Sequence, residues 1–266
     1  MSAQRTRIPT SHSAAILADD LRDIVRGAIR PVKPELDARA QQALEDLRRD
    51  GFAVVEGYWE RDRALAVRDQ LEALVTEDDH DFPEGAYLRH WRDRAYDSGV
   101  CRLWHVEKLL PELAELRNDP WIMSVVAAYY KQPFHSGGLV FQHNTKTNKE
   151  TRGYHVDGYA REFKSFVYLD DVDQGNGPFT YLRGTHRSHG VRLRKQFLGG
   201  DGSPTLFSPD DVRNAEEREV MIEGPAGTLI LTDVRGLHRG SPQRNGSRSV
   251  LVNYIVKHPG DMHIDR

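Results

Sequence analysis

The sequence predicts a mainly β protein, an antiparallel barrel or sandwich set behind a front of helices, and three observations carry that prediction. The second half of the chain is a series of short β-branched and aromatic runs, "GGLVFQHN", "FKSFVYLDDV", "GPFTYLRG", "REVMIEG", "GTLILTDV" and "SRSVLVNYIV", separated by Gly, Pro, Asn and Asp clusters. Up to about residue 131, by contrast, the apolar residues recur mostly at helical spacing. The composition, 38% apolar and 29% charged over 266 residues, suits a folded protein with a sizeable core. A helical front packed on one β core explains the change of character along the chain, so residues 1–266 are expected to form one domain.

Residues 1–13 are polar and are expected to be disordered, because little there offsets the entropy of ordering them. From Ala14 to Arg30, the residues Ile16, Leu17, Leu21, Ile24, Val25 and Ile29 mark an amphipathic helix, which Pro31 and Pro34 punctuate. Ala40, Ala43, Leu44 and Leu47 mark a second helix, closed by Gly51. A strand, "FAVVEGYW", follows, then a helix over 61–76. The run "PELAELRNDPWIMSVVAAYY" predicts two short helices divided at Pro120. Between His186 and Arg218 a long polar stretch breaks the strand rhythm, and 187–217 is predicted to be a lid-like insertion.

Several function classes are excluded at this level. The net charge of -3, with acids and bases interleaved, offers no footprint for nucleic acid. No apolar run approaches the roughly 18 residues that would span a bilayer. The start "MSAQRTRIPTSHS" lacks the apolar core of a secretion signal, and the single cysteine, Cys101, builds neither a disulfide nor a Cys-rich zinc site. A cytoplasmic protein acting on a small molecule is the expectation.

Three His-x-acid triplets occur, His105/Glu107, His155/Asp157 and His263/Asp265. With 12 histidines and 40 acids in the chain, about two are expected by chance, so context has to choose. The first lies at the edge of a helical segment, where residues two apart face different ways, and the third lies at the C-terminus with no later histidine. The second opens the β region, where residues i and i+2 share a face. Downstream, His238 ends the strand pattern "GTLILTDVRGLH". Two neutral imidazoles and one carboxylate on rigid strands make a facial triad that suits Fe(II) and leaves coordination positions open, and the same donors suit zinc. Asn245-Gly246 then predicts a tight hairpin, directly followed by Arg248. An arginine this close to the metal requires an anionic partner, for which a bidentate carboxylate is natural, although Asp170, Asp171 or Asp173 would serve.

His155-x-Asp157, "GNGPFTYLRGTH", His238 in "HRGS" and Arg248 together resemble the phytanoyl-CoA dioxygenase family of Fe(II)/2-oxoglutarate oxygenases, over roughly residues 40 to 258. The resemblance implies a double-stranded β-helix, a cupin-like jelly roll, buttressed by the N-terminal helices. It implies that His155, Asp157 and His238 ligate Fe(II) and that Arg248 binds the distal carboxylate of the cosubstrate 2-oxoglutarate. Gln142 and Asn144, on the strand before the triad, are implied as cosubstrate contacts, and period-two alternation turns both to one face. The family often has a serine two positions after the distal histidine, where this chain has Gly240. Activity is expected to consume O2 and release succinate and CO2, with C–H hydroxylation as the default outcome. A carboxylate at 157, rather than a small residue, argues against halogenation. Trp104 and Arg102 in the helical front and Tyr159 near the triad are candidates for the substrate wall. Nothing obvious accommodates a coenzyme A nucleotide, which points to tailoring of a small natural product. The alternatives are a catalytically inactive relative and a cupin-like metal protein independent of 2-oxoglutarate.

Overall fold

A computed structural model describes residues 10–76, 81–91, 99–145, 153–187, 189–198 and 205–258. The front of the molecule holds helices α1 (Thr10–Ile29), α2 (Ala38–Asp50), α3 (Arg61–Thr76), α4 (Ala114–Arg117) and α5 (Pro120–Tyr130), with strands β1 (Phe52–Val55), β2 (Tyr87–Trp91) and β3 (Val100–Trp104) between them. The remainder contains β4 (His135–Asn144), β5 (Glu162–Tyr168), β6 (Phe179–Leu182), α6 (His189–Leu198), α7 (Ala215–Arg218), β7 (Glu219–Ile222), β8 (Leu229–Asp233), β9 (His238–Gly240) and β10 (Arg248–Val256).

Local chemistry sets the ends of α2. The Asp37 carboxylate accepts from the Ala40 N–H at 2.7 Å, and Ala40, Ala43, Leu44 and Leu47 bury one stripe. Gly51 ends the helix at φ 93°, its N–H donating to Leu47 O. A side chain there would also strike the Tyr181 hydroxyl and the His186 ring, so glycine is needed for two reasons. At α5, Asp119 caps by accepting from the Trp121 and Ile122 N–H groups, with Pro120 in the first turn.

The larger sheet runs β1-β8-β5-β10-β4-β3-β2 and the smaller one β7-β6-β9, with every neighbouring pair antiparallel. Successive residues of β10 serve different cores. Leu251 and Ile255 join Leu47, Leu71 and Ile122 of the helices, whereas Val250 and Val252 pack with Phe179, Tyr181 and Ile222 of the smaller sheet. Both faces of the larger sheet are therefore covered, and burying a side chain such as Leu251 contributes about 2–3 kcal/mol. This is the mainly β jelly roll with helical buttresses that the sequence predicts.

Some local expectations fail. The front is not only helical, because β2 and β3 extend the larger sheet beside β4, and Arg102 and Trp104 lie on β3. Both faces of β3 are buried, so the strand lacks the alternation that marks one in sequence. β1 stops at Val55, short of the "GYW" that follows. Asn245-Gly246 makes no tight hairpin: β9 and β10 belong to different sheets, and neither residue has positive φ. The segment crosses between sheets instead, anchored by the Arg244 and Asn245 N–H groups on Gly175 O. α1 begins at Thr10, so residues 10–13 are helical, while 1–9 of the predicted disordered tail lie outside the described residues. Of the 187–217 segment, 188 and 199–204 lie outside them too, and the rest holds α6 and α7. No helix among the described residues is long and apolar enough to cross a membrane.

One buried group makes the fold sensitive to acid. His186 lies against Gly51 and Tyr181, and burial pushes its imidazole down from 6.5 to about 4. Between these values the unfolded chain binds a proton that the folded one refuses, so stability is full above 6.5 and falls as pH drops toward 4. Urea unfolding is expected to show a loss on the order of 3 kcal/mol across that window. The loss should be largely absent from His186→Gln, and equal slopes in the two proteins would contradict the assignment.

Candidate metal centre and active site

The site is built on a backbone pairing. The His155 N–H donates to His238 O and the His238 N–H to His155 O, each at 3.0 Å. Directly opposed residues of such a pair project to one side, and the two rings lie 4.5 Å apart, centroid to centroid. His155 Nδ1 is 3.0 Å from Gly153 O, and His238 Nδ1 is 2.9 Å from Gly236 O. A carbonyl only accepts, so each Nδ1 carries the proton and each Nε2 presents its lone pair. Asp157 completes the group, with Oδ1 3.6 Å from His155 Nε2 and Oδ2 3.4 Å from His238 Nε2. One ligand atom from each residue lies within 4.8 Å of the other two, the only such cluster among the described residues. Two oriented imidazoles and a carboxylate fit a divalent first-row metal.

Burial alone would raise the Asp157 pKa, but the Lys164 ammonium beside it holds the carboxyl well below its usual range. Lys164 Nζ donates to Asp157 Oδ2 at 2.8 Å. Although burial opposes its charge, attraction to Asp157 keeps the ammonium above its ordinary value.

A cavity of about 440 Å³ opens over the triad. Register explains what faces it: on β10 Arg248 pairs with Asn144 of β4 and Val250 with Gln142, and Gln142 pairs in turn with Arg102 of β3. Arg248, Gln142, Asn144, Arg102, Trp104 and Tyr159 all line this one cavity. Arg102 Nε donates to Gln142 Oε1 at 2.7 Å, and Gln142 Nε2 donates to Asn144 Oδ1 at 2.8 Å, which fixes both amides.

Arg248 is buried, with Nη1 donating to Gly177 O and Nε left without a partner. None of the three aspartates that the sequence offers reaches it in an ion pair: Asp170 pairs with Arg68, Asp171 pairs with Arg61, and no ion pair of Arg248 with any carboxylate occurs among the described residues. Burial pulls its guanidinium below the ordinary value. A buried arginine with a spare donor fits a carboxylate ligand. At the family's serine position, Gly240 leaves room beside the guanidinium, and Ser241 is taken by Thr180 at 2.7 Å.

His105 and Glu107 do meet, at 3.4 Å, because His105 adopts φ 60°, but Glu107 is engaged by the Leu139 N–H and Arg117. His143 faces away, toward Ser249 and Glu72. His263 and Asp265 lie outside the described residues. Sequence reasoning missed Lys164, Glu162 and Tyr254, which also line the cavity, and the approach of His12 and Ile16 from α1. The lysine in "EFKSFVYL" was the available signal, since a charge inside a buried strand has to be paired.

No sequence among curated proteins matches the chain. Among solved structures, the non-heme alpha ketoglutarate dependent epimerase SnoN from nogalamycin biosynthesis superposes with a TM-score of 0.62 at 15% identity, covering 83% of this chain and 84% of that one. The carbocyclase SnoK from nogalamycin biosynthesis gives 0.63 at 15% identity, covering 86% and 91%. EctD from S. alaskensis with bound Fe gives 0.61 at 15% identity, covering 85% and 80%. These likenesses show the fold. The family model for phytanoyl-CoA dioxygenase (PhyH) matches residues 47–250, a span that holds every strand from β1 to the start of β10, all three triad residues and Arg248, and the chain belongs to that family.

Proposed function

We propose that this protein is a non-haem Fe(II)- and 2-oxoglutarate-dependent oxygenase that hydroxylates an unactivated C–H bond of a small organic molecule, releasing succinate and CO2. The convergence of His155, Asp157 and His238 on one point carries the proposal. Bound iron and 2-oxoglutarate supply the oxidising power, drawn from O2. The chain supplies placement. His155 and His238 offer fixed Nε2 atoms and Asp157 a carboxylate oxygen to the metal, while Arg248 holds the far carboxylate of 2-oxoglutarate by a charge-assisted pair. Asn144, whose oxygen Gln142 occupies, offers its amide nitrogen beside it. Phe166 and Phe179, with centroids 5.0 Å apart, form an apolar part of the wall and keep water from the reacting centre.

The cavity bounds the substrate to a small molecule, and Trp104, Tyr159 and Arg102 are its proposed contacts. SnoN is described as an epimerase and SnoK as a carbocyclase, so ring closure or epimerisation by the same centre needs only a different placement of the substrate. A place in natural-product tailoring is consistent with both. A metal protein independent of 2-oxoglutarate would leave Arg248 without its anion. Anaerobic loading with Fe(II) followed by 2-oxoglutarate is expected to produce a visible charge-transfer band, and admission of air with a substrate panel is expected to yield succinate. Absence of both would overturn the proposal.

A further inference from the structure

Strand β5 places a charge where a buried strand offers no water to solvate it. Lys164 is 8% exposed, and register sets it opposite Tyr254 of β10 and Thr232 of β8, with its side chain lining the cavity. Its ammonium lies 2.8 Å from Asp157 Oδ2, 3.6 Å from Glu162 Oε1 and 4.1 Å from the centre of the Tyr254 ring. Glu162 and Tyr254 hold it independently of Asp157, the ring by a cation–π contact. The lysine is thus a built fixture of the site, aimed at one oxygen of one member of the triad.

We propose that Lys164 is a positioning residue that occupies Asp157 Oδ2, restricts Asp157 to ligation through Oδ1, and so keeps the three remaining positions of the metal free for 2-oxoglutarate to settle in reach of Arg248. This rests on the function proposed above. A carboxylate that ligates through both oxygens takes one more position than a carboxylate that ligates through one. Two imidazoles and a single oxygen leave open positions on the metal, and the keto acid end of the cosubstrate requires two of them. A second Asp157 oxygen would take one of the three positions left on a six-coordinate metal and would confine the keto acid to the last two, in place of the pair from which its far carboxylate reaches Arg248. The ammonium also draws on the charge of the carboxylate, which weakens the hold of Asp157 on a cation. Losing Lys164 therefore weakens 2-oxoglutarate binding without weakening the hold on the metal, whereas an ion pair that served only the fold would leave cosubstrate affinity unchanged.

Fe(II) affinity is measured anaerobically by competition with a chelator, and 2-oxoglutarate affinity by titration of the visible band of the iron-loaded protein. Lys164→Met is expected to bind Fe(II) as tightly as the unsubstituted chain or more tightly, and 2-oxoglutarate at least about tenfold more weakly, the scale typical of groups that orient a metal ligand. Lys164→Gln keeps a shorter, neutral donor and is expected to weaken 2-oxoglutarate by about threefold, which preserves the test should the methionine variant fail to fold. Unchanged 2-oxoglutarate affinity in either variant, or loss of iron along with the cosubstrate, overturns the role given to Lys164. An unsubstituted protein that binds iron but gives no band with 2-oxoglutarate would overturn the proposed function and this inference with it; a band in the unsubstituted protein with equal affinity in the variants overturns this inference alone.

Discussion

Asp157→Ala is expected to abolish 2-oxoglutarate turnover and to weaken metal binding by more than about 100-fold, beyond the loss typical for residues that merely orient a ligand. Only His155 and His238 would remain, and no other acid among the described residues joins them in a cluster. The substitution does a second thing. It strips Lys164 of the partner that lies 2.8 Å away, leaving a buried ammonium with Glu162 at 3.6 Å. Breaking a buried ion pair on one side costs up to about 3–5 kcal/mol, less here by what Glu162 and the Tyr254 ring still supply, so the variant should also melt at a lower temperature. Low activity alone would not separate a lost ligand from a loosened fold. The double variant Asp157→Ala with Lys164→Met does: removal of the stranded charge is expected to restore most of the stability while metal binding stays lost. Full turnover in Asp157→Ala would count decisively against the metal centre. Recovery of metal binding in the double variant would instead reassign Asp157 to a structural role.

What could be read from the sequence follows from which forces are local. The strands β4, β5, β8 and β10 announce themselves through β-branched and aromatic runs, because both of their faces are buried and little else fits there. The triad was legible because i and i+2 on an extended segment share a face, a property of the backbone that needs no tertiary knowledge. His238 is marked by its place at the end of a strand pattern and by the family pattern, but the mutual hydrogen bonds that seat it against His155 join residues far apart in the chain and leave no local trace. β3 was invisible for the opposite reason. Cys101 and Leu103 belong to the helix-side core while Arg102 and Trp104 face the cavity, so the run mixes types on two buried faces and reads as neither helix nor strand. Lys164 carried a clear signal, a charge within an apolar strand, but its partner Asp157 could be identified only once β5 and the triad segment were side by side. The crossing after β9 was misjudged because Asn-Gly favours a hairpin locally, yet the sheet assignment of β9 and β10 is settled by long-range pairing.

Arg248→Ala should raise the 2-oxoglutarate requirement by roughly 30- to 4000-fold, the equivalent of the 2–5 kcal/mol lost when one partner of a buried, hydrogen-bonded charge pair is truncated. Stability is expected to behave in the reverse sense to that of Asp157→Ala. In the ligand-free protein the guanidinium is buried, its Nε has no partner, and no carboxylate pairs with it among the described residues. Removing a buried charge that no ion pair balances relieves a desolvation cost, so the ligand-free variant should melt no lower than the unsubstituted chain apart from lost packing and the distant attraction to Asp170. The contrast appears on adding cosubstrate. A ligand that binds only the folded state stabilises it according to its concentration over its Kd, so saturating 2-oxoglutarate should raise the melting temperature of the metal-loaded unsubstituted protein and leave that of Arg248→Ala nearly unmoved. Arg248→Lys should recover only part of the affinity, because an ammonium supplies the charge but not the planar fork that meets both oxygens of a carboxylate. An unchanged Michaelis constant for 2-oxoglutarate in Arg248→Ala would contradict the clamp. A drop in ligand-free stability as large as that from breaking the Asp157–Lys164 pair would show instead that Arg248 is already balanced by a charge within the protein, and that its burial is not held in reserve for the cosubstrate.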